Sequence, residues 1–302
     1  MLRNLIRFMI ICAVMSPALS VGAEAIKLRH VVSLYTDDKG NAFKFPEGAA
    51  CTSDNSLLIV ADTGNGRLLK YNNQTETLIF GGEYKLPELP RPSKLRVTSK
   101  GDIFAFDEKV QRIAHLNAAG AFVAYVKPTG VPAPESFIPR SFTIDARDNI
   151  YVLDILAERV LMLDPGGAFL REIKFPEKFG FFSDMTVDPG GTVFLIDTVQ
   201  SMVYSAPSQA KTFAALTGKL KEYMLFPTNI TVDSTGKLYI TDRNGGSIVI
   251  LDQAGGIVGK QLSMGWKEGW VRYPSQICIT GAGDLFVADR ENNRVQVFKV
   301  IM

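Results

Sequence analysis

Short apolar runs recur along the chain between clusters of Gly, Asp, Asn and Ser, and six of them end in aspartate. They read Leu58-Ile59-Val60-Ala61-Asp62, Ile103-Phe104-Ala105-Phe106-Asp107, Ile150-Tyr151-Val152-Leu153-Asp154, Val193-Phe194-Leu195-Ile196-Asp197, Leu238-Tyr239-Ile240-Thr241-Asp242 and Leu285-Phe286-Val287-Ala288-Asp289. Runs this short, rich in Val, Ile, Phe and Tyr and without polar alternation, predict strands packed on both faces. One further apolar strand precedes each run across a tight turn, and another follows it.

Successive aspartates lie 45, 47, 43, 45 and 47 residues apart. Six residues before them stand Gly101, Gly191, Gly236 and Gly283, with Asp148 and Ser56 in the other two units. A tight hairpin needs positive φ there, which Gly supplies without steric strain. Pro46, Pro92, Pro139, Pro227 and Pro274 stand fifteen or sixteen residues before five of the aspartates, and Phe182 takes that place in the fourth unit. A period near 45 with three or four short strands is that of a propeller blade. The predicted fold is therefore all-β, a six-bladed β-propeller in one domain over residues 24–302.

The last unit ends at Met302 after its third strand, residues 294–300, and lacks a fourth. Residues 27–34 look like a strand but have no blade of their own. Pairing the two closes the ring and removes an edge that would otherwise recruit other chains.

The residues of the sixth unit, Tyr273-Pro274, Ile277-Cys278-Ile279, Gly283-Asp284-Leu285-Phe286-Val287-Ala288-Asp289 and Asn293-Arg294-Val295-Gln296-Val297-Phe298, resemble the NHL repeat. The first, third and fifth units follow nearly as well, so the resemblance spans residues 24–302. Arg67, Arg112, Arg159 and Arg294 stand five residues after their aspartates, whereas the fourth and fifth units have Met202 and Ser247. The repeated Asp and Arg read as structural: the carboxylate accepts N–H groups of the following turn and faces the guanidinium on the third strand.

Residues 1–23 have the form of a secretory signal, with Arg3 and Arg7, an apolar stretch, Pro17 and the small residues Val21-Gly22-Ala23 before Glu24. The expectation is cleavage after Ala23 and a periplasmic or extracellular protein. An uncleaved segment would instead be a membrane anchor, although the stretch between Arg7 and Glu24 is short for a span. Without the two arginines, the 33 basic and 31 acidic residues become 31 of each. That balance, with no basic stripe, argues against the RNA binding found in some NHL propellers and against nucleic acid generally. Asn73-Gln74-Thr75 is a glycosylation acceptor only in a eukaryotic source.

Few constellations suggest chemistry. The Gly-Gly pairs fall in turns between strands, so no phosphate loop leads into a helix. Propellers that cleave carbon–nitrogen bonds with His-bound zinc are similar in architecture, but His30 and His115 are the only histidines and share no ligand spacing. Lactonase propellers of the gluconolactonase and paraoxonase kind hold calcium at the channel mouth. The corresponding column here, one residue before the Ile-x-Val strand, reads Ala49, Lys94, Ser141, Asp184, Asn229 and Gln276. Asp184 and Asn229, with Gln276, are weak candidate ligands for a hard cation, because calcium sites usually gather several carboxylates. Asn229 also stands two residues after Pro227, where the lactonase motif has Asn directly after Pro. The alternative is a polar, water-lined mouth, and no cofactor is expected.

Cys51 and Cys278 each lie eleven residues before an aspartate, in units that adjoin once the ring closes. Equivalent positions point the same way around a ring, so the expectation is two buried free thiols rather than a disulfide. Arg96 shares their column with Thr143, Thr186 and Thr231, and its charge must reach the channel or a carboxylate. Trp266 and Trp270, beside Arg272 and Tyr273, lie in a polar linking segment. They are either binding aromatics or fillers between blades. The functional expectation is a monomeric, exported propeller that binds a protein, peptide or glycan through its channel-mouth loops, with Lys94, Arg96, Ser141, Asp184, Asn229 and Gln276 beneath. The alternative is a calcium- or zinc-dependent lactonase or related hydrolase at the same mouth.

Overall fold

The computed structural model describes residues 26–74 and 77–301. The expected signal segment, and Thr75 of the Asn73 acceptor, lie outside the described residues. Six four-stranded antiparallel sheets form the blades. Their inner strands, Gly48–Cys51, Pro92–Val97, Pro139–Ile144, Phe182–Val187, Pro227–Val232 and Pro274–Ile279, pack one against the next and the last against the first. The all-β, six-bladed prediction holds.

Ring closure also follows the expected scheme. Lys27–Leu34 pairs antiparallel with Arg294–Ile301, from Lys27 opposite Ile301 to Leu34 opposite Val295, as the outer strand of the sixth blade. Asp37, just beyond this strand, binds Arg67 of the first blade at 2.7 Å, so the closing segment is tied to both sides of the seam.

The core lies in layers between blades, which is why the second strands are apolar on both faces. Leu58, Val60, Phe286 and Ala288 meet between the sixth and first blades, and Ile59, Ala61, Leu95 and Ala105 between the first and second. In the fourth blade Phe182 replaces proline and is buried among aromatics. It stacks on Phe179 at 5.1 Å and meets Phe175 and Tyr204 edge-on at 4.8 and 5.2 Å.

Each repeat aspartate is buried and holds the segment arriving from the preceding blade as well as its own turn. Asp154 accepts the N–H groups of Ile138 and Leu156 and faces Arg159 Nε at 3.0 Å. Asp62–Arg67 and Asp289–Arg294 pair at 2.7 Å. Where arginine is absent, a second arriving N–H takes its place: Gly180 and Phe181 donate to Asp197, and Leu225 and Phe226 to Asp242. Arg112 departs from the expectation. It turns away from Asp107 and lies over the Tyr125 ring, and Asp107 relies on the N–H groups of Arg91, Lys109 and Val110.

The first blade is out of register with the others. Its 52–57 turn is one residue longer, so Cys51 pairs with Leu58, four residues before Asp62, whereas Cys278 pairs with Phe286, three before Asp289. A one-residue shift moves a side chain to the opposite sheet face. Ala50 is thus the equivalent of Cys278, and Cys51 faces back towards the sixth blade. The thiols expected to be free instead form a disulfide, with Cα atoms 6.0 Å apart, across the seam. The argument that equivalent positions cannot meet is sound; these positions are not equivalent. The same shift makes Gly48, not Ala49, the first-blade member of the column that contains Asn229.

Candidate functional site

The third residue of the inner strand turns towards the axis in the second to sixth blades, and these five side chains close the channel with a circuit of hydrogen bonds. Lys94 Nζ bonds Asp184 Oδ1 at 3.0 Å and the Ser183 carbonyl at 2.7 Å. Ser141 Oγ and Asn229 Nδ2 donate to the same carboxylate, as does the Ile230 N–H at 3.1 Å. Asn229 Oδ1 accepts from Ile277 N at 3.0 Å. Gln276 passes Gly48 to reach the second blade, accepting from Leu95 N at 2.9 Å and donating to Leu95 O at 2.7 Å. A Cβ at Gly48 would lie 2.0 Å from the Ser93 carbonyl, so no side chain fits at that position.

Burial alone would raise the proton affinity of Asp184, but Lys94, then Arg96, Ser141 and the Ile230 N–H outweigh it and hold the carboxyl below the usual range. Burial pushes the Lys94 ammonium down, with Asp184 opposing and Arg140 and Arg96 adding to the fall. This donor set does not fit a calcium or zinc ion. Every oxygen of Asp184, Asn229 and Gln276 faces a hydrogen-bond donor, and one donor is itself a cation. Among the described residues no group of three or more His, Cys, Asp or Glu side chains is arranged to hold a metal. His30 bonds Ser33, and His115 bonds Asp102 while stacked on Phe104.

Above the circuit, on the face bearing the repeat prolines, lies a charged mouth that sequence reasoning missed. Arg290 Nε bonds Glu47 at 2.5 Å, and Arg243 lies 4.0 Å from the same carboxylate. Arg140 has no carboxylate partner among the described residues and rests over the Phe181 ring at 5.2 Å. The residues immediately before the proline position, Ile138, Phe181, Phe226 and Tyr273, are exposed around this mouth. Their shared place beside the proline was the available signal.

The tryptophan segment rises at the rim of the same face. Trp266 is 78% exposed and Trp270 44%, so neither fills a gap between blades. The Trp270 carbonyl accepts from Arg294 Nη2 at 2.8 Å and Gln296 Nε2 at 2.6 Å, and Lys267 Nζ lies 5.8 Å from its ring centre. Glu268 binds the Tyr35 hydroxyl at 3.0 Å, joining the segment to the end of the closing strand. Arg272 donates its backbone N–H to Asp289 with its side chain exposed, and Tyr273 adopts φ of 48°. The structure therefore separates the expected binding residues: Trp266, Trp270, Arg272 and Tyr273 lie on an exposed face, and Ser141, Asp184, Asn229 and Gln276 in a buried plug.

Arg96 lies on the opposite side of the plug, in a cavity of about 750 Å³ that opens among the hairpin turns. Its Nε bonds Thr143 Oγ1 at 3.2 Å, and Nη1 and Nη2 reach the Leu95 and Met185 carbonyls at 2.9 and 3.4 Å. Burial pulls its proton affinity down, against the field of Asp184.

Comparison with known proteins supports the repeat reading at the point where strand register, Asp–Arg pair and incoming proline are all in place. Residues 271–298 match the NHL repeat. No curated protein matches the chain in sequence. Among solved structures, virginiamycin B lyase from Staphylococcus aureus is 15% identical, with TM-score 0.62 over 91% of this chain and 100% of that one. A gluconolactonase from Xanthomonas campestris is 12% identical, with TM-score 0.65 over 92% and 95%. A luciferin-regenerating enzyme is 14% identical, with TM-score 0.63 over the same shares. At these identities the likeness is one of fold, so this propeller shares its architecture with enzymes while its channel chemistry must be read from its own residues.

Proposed function

We propose that this propeller is a non-catalytic binding module, exported from the cytosol, that takes a protein or peptide partner on the face carrying Trp266, Trp270, Arg140 and Arg243. The observation that carries this reading is the Lys94–Asp184 plug, which occupies the place of an axial metal site with a satisfied ion pair. Around it, exposed aromatics beside cations whose carboxylate partner is distant or absent are the residue types that anchor interfaces. A disulfide across the seam fits an oxidising compartment and agrees with the apolar start of the chain.

The test is retention of proteins from the secreted or periplasmic fraction by immobilised parent and by a Trp266→Ala, Arg140→Glu double variant of matched thermal stability. A partner held by the parent and lost by the variant supports the reading. Equal retention by both places any site elsewhere. Lactone hydrolysis that appears on adding calcium to purified protein would restore the enzymatic alternative.

A further inference from the structure

On the hairpin side, away from the proposed partner face, the cavity holds a cation without an anion. A guanidinium has five N–H donors, and Arg96 directs three of its bonds to Thr143 and two carbonyls, all neutral. Among the described residues no carboxylate lies within ion-pair distance, because Asp184 is turned into the plug and bound there by Lys94, Ser141, Asn229 and Ile230. Thr186 and Thr231 line the same space, and among the described residues their hydroxyls have no hydrogen-bond partner. A half-buried charge in this setting lacks the partner that ordinarily offsets its desolvation.

The mouth of the cavity has the opposite sign. Asp54, Asp145, Asp148, Asp188 and Asp233 line it, against Lys100. All five accept backbone N–H groups at Oδ1: Asp54 from Ser56, Asp145 from Arg147 and Asn149, Asp148 from Ser99, Asp188 from Thr192, and Asp233 from Thr235 and Lys237. Thr143 and Asp145, Thr186 and Asp188, and Thr231 and Asp233 stand two positions apart along the chain, a depth of about 7 Å. Positive floor and negative rim stand one above the other.

We infer that this cavity is a binding site for a small dipolar carboxylate, which places its anionic head on Arg96, Thr186 and Thr231 and its cationic tail among the rim aspartates. The head forms a charge-assisted pair that the protein itself does not supply, and the tail is drawn by the carboxylate ring, which repels a simple anion. Ligands with both charges on adjacent atoms do not span the depth; those with a chain of several carbons between the charges do.

The probes are 6-aminohexanoate, hexanoate and hexylamine, which share a chain length and differ only in their charged ends, titrated calorimetrically into the purified full chain. The expected result is that 6-aminohexanoate binds about tenfold or more tightly than either singly charged probe. Arg96→Met should abolish its advantage over hexylamine, and Asp188→Asn with Asp233→Asn its advantage over hexanoate. Should Arg96→Met fail to fold, Thr186→Val with Thr231→Val must weaken 6-aminohexanoate binding while leaving the melting temperature near that of the parent. Equal affinity for the three probes, no binding at millimolar concentration, or affinity that survives Arg96→Met or the paired threonine change, overturns the inference.

Discussion

Lys94 on the second blade reaches past the third to place its ammonium 3.0 Å from the carboxylate of Asp184 on the fourth. The pair ties blades that are not neighbours, and its removal from one end differs from its removal from the other. Asp184→Asn leaves a buried ammonium facing an amide and should destabilise the fold by about 3–5 kcal/mol. Lys94→Met leaves a carboxylate that still has Ser141, Asn229 and Ile230 as donors, so the loss should be nearer about 2 kcal/mol. Urea unfolding of the two single variants and the double should give a double variant less destabilised than the sum, since each change removes the same pair.

The same pair sets a pH dependence. Asp184 and Asp37 both titrate below the usual carboxylate range in the folded chain: burial would raise them, but Lys94 and Arg96 for the first, and Asn41 and Arg67 for the second, prevail. The unfolded chain therefore takes up these protons first as pH falls. Their contribution is complete above about pH 4 and is lost on acidification below it. Lys94→Met should flatten the acid limb of the stability curve: the fall in urea midpoint between neutral pH and pH 3 should be smaller than in the parent, because Asp184 is no longer held so far below its unfolded value. An unchanged fall would mean that Lys94 does not hold the charge on Asp184.

The seam disulfide closes a stretch of 227 residues. A loop that long restricts the unfolded chain strongly, worth up to about 5 kcal/mol in the chain-entropy account. Cys51→Ser should lower the melting temperature, and the parent in reductant should melt where the variant does. Identical melting of oxidised parent and variant would show that the bond adds nothing to closure.

Deletion of residues 27–35 removes the outer strand of the sixth blade and bares Arg294–Ile301. The variant should aggregate on size-exclusion chromatography, because the bared strand is an unpaired edge. A monomer melting at the parent temperature would contradict the closure scheme.

What was legible in the sequence follows from what is local in the chain. The second strands, the turn glycines and the prolines each act within one unit, so six copies reinforced one another, and the orphan strand at the start found its partner by elimination. The register of the first blade was hidden because Cys51 and Cys278 lie at equal chain distances from their aspartates. The extra residue falls in the turn between, where counting from the aspartate does not detect it. The plug was hidden for another reason: Lys94 and Asp184 are 90 residues apart and Gln276 and Leu95 are 181 apart, and no periodic pattern shows which side chains cross an axis. Asp184 and Asn229 were recognised as candidate oxygen ligands, but whether their oxygens face a cation or an N–H depends on the next blade.

The longer 52–57 turn gives a ring of near-copies a fixed origin. In a sixfold array each interface presents much the same strand to much the same strand, so a closing chain meets several almost interchangeable neighbours. The displaced inner strand of the first blade finds its complement only beside the sixth, where Cys278 stands on the facing side. A chain that closes one blade early, or exchanges blades with another copy out of order, brings Cys51 against Arg96, Thr143, Thr186 or Thr231 instead, and the mismatch marks the assembly as wrong.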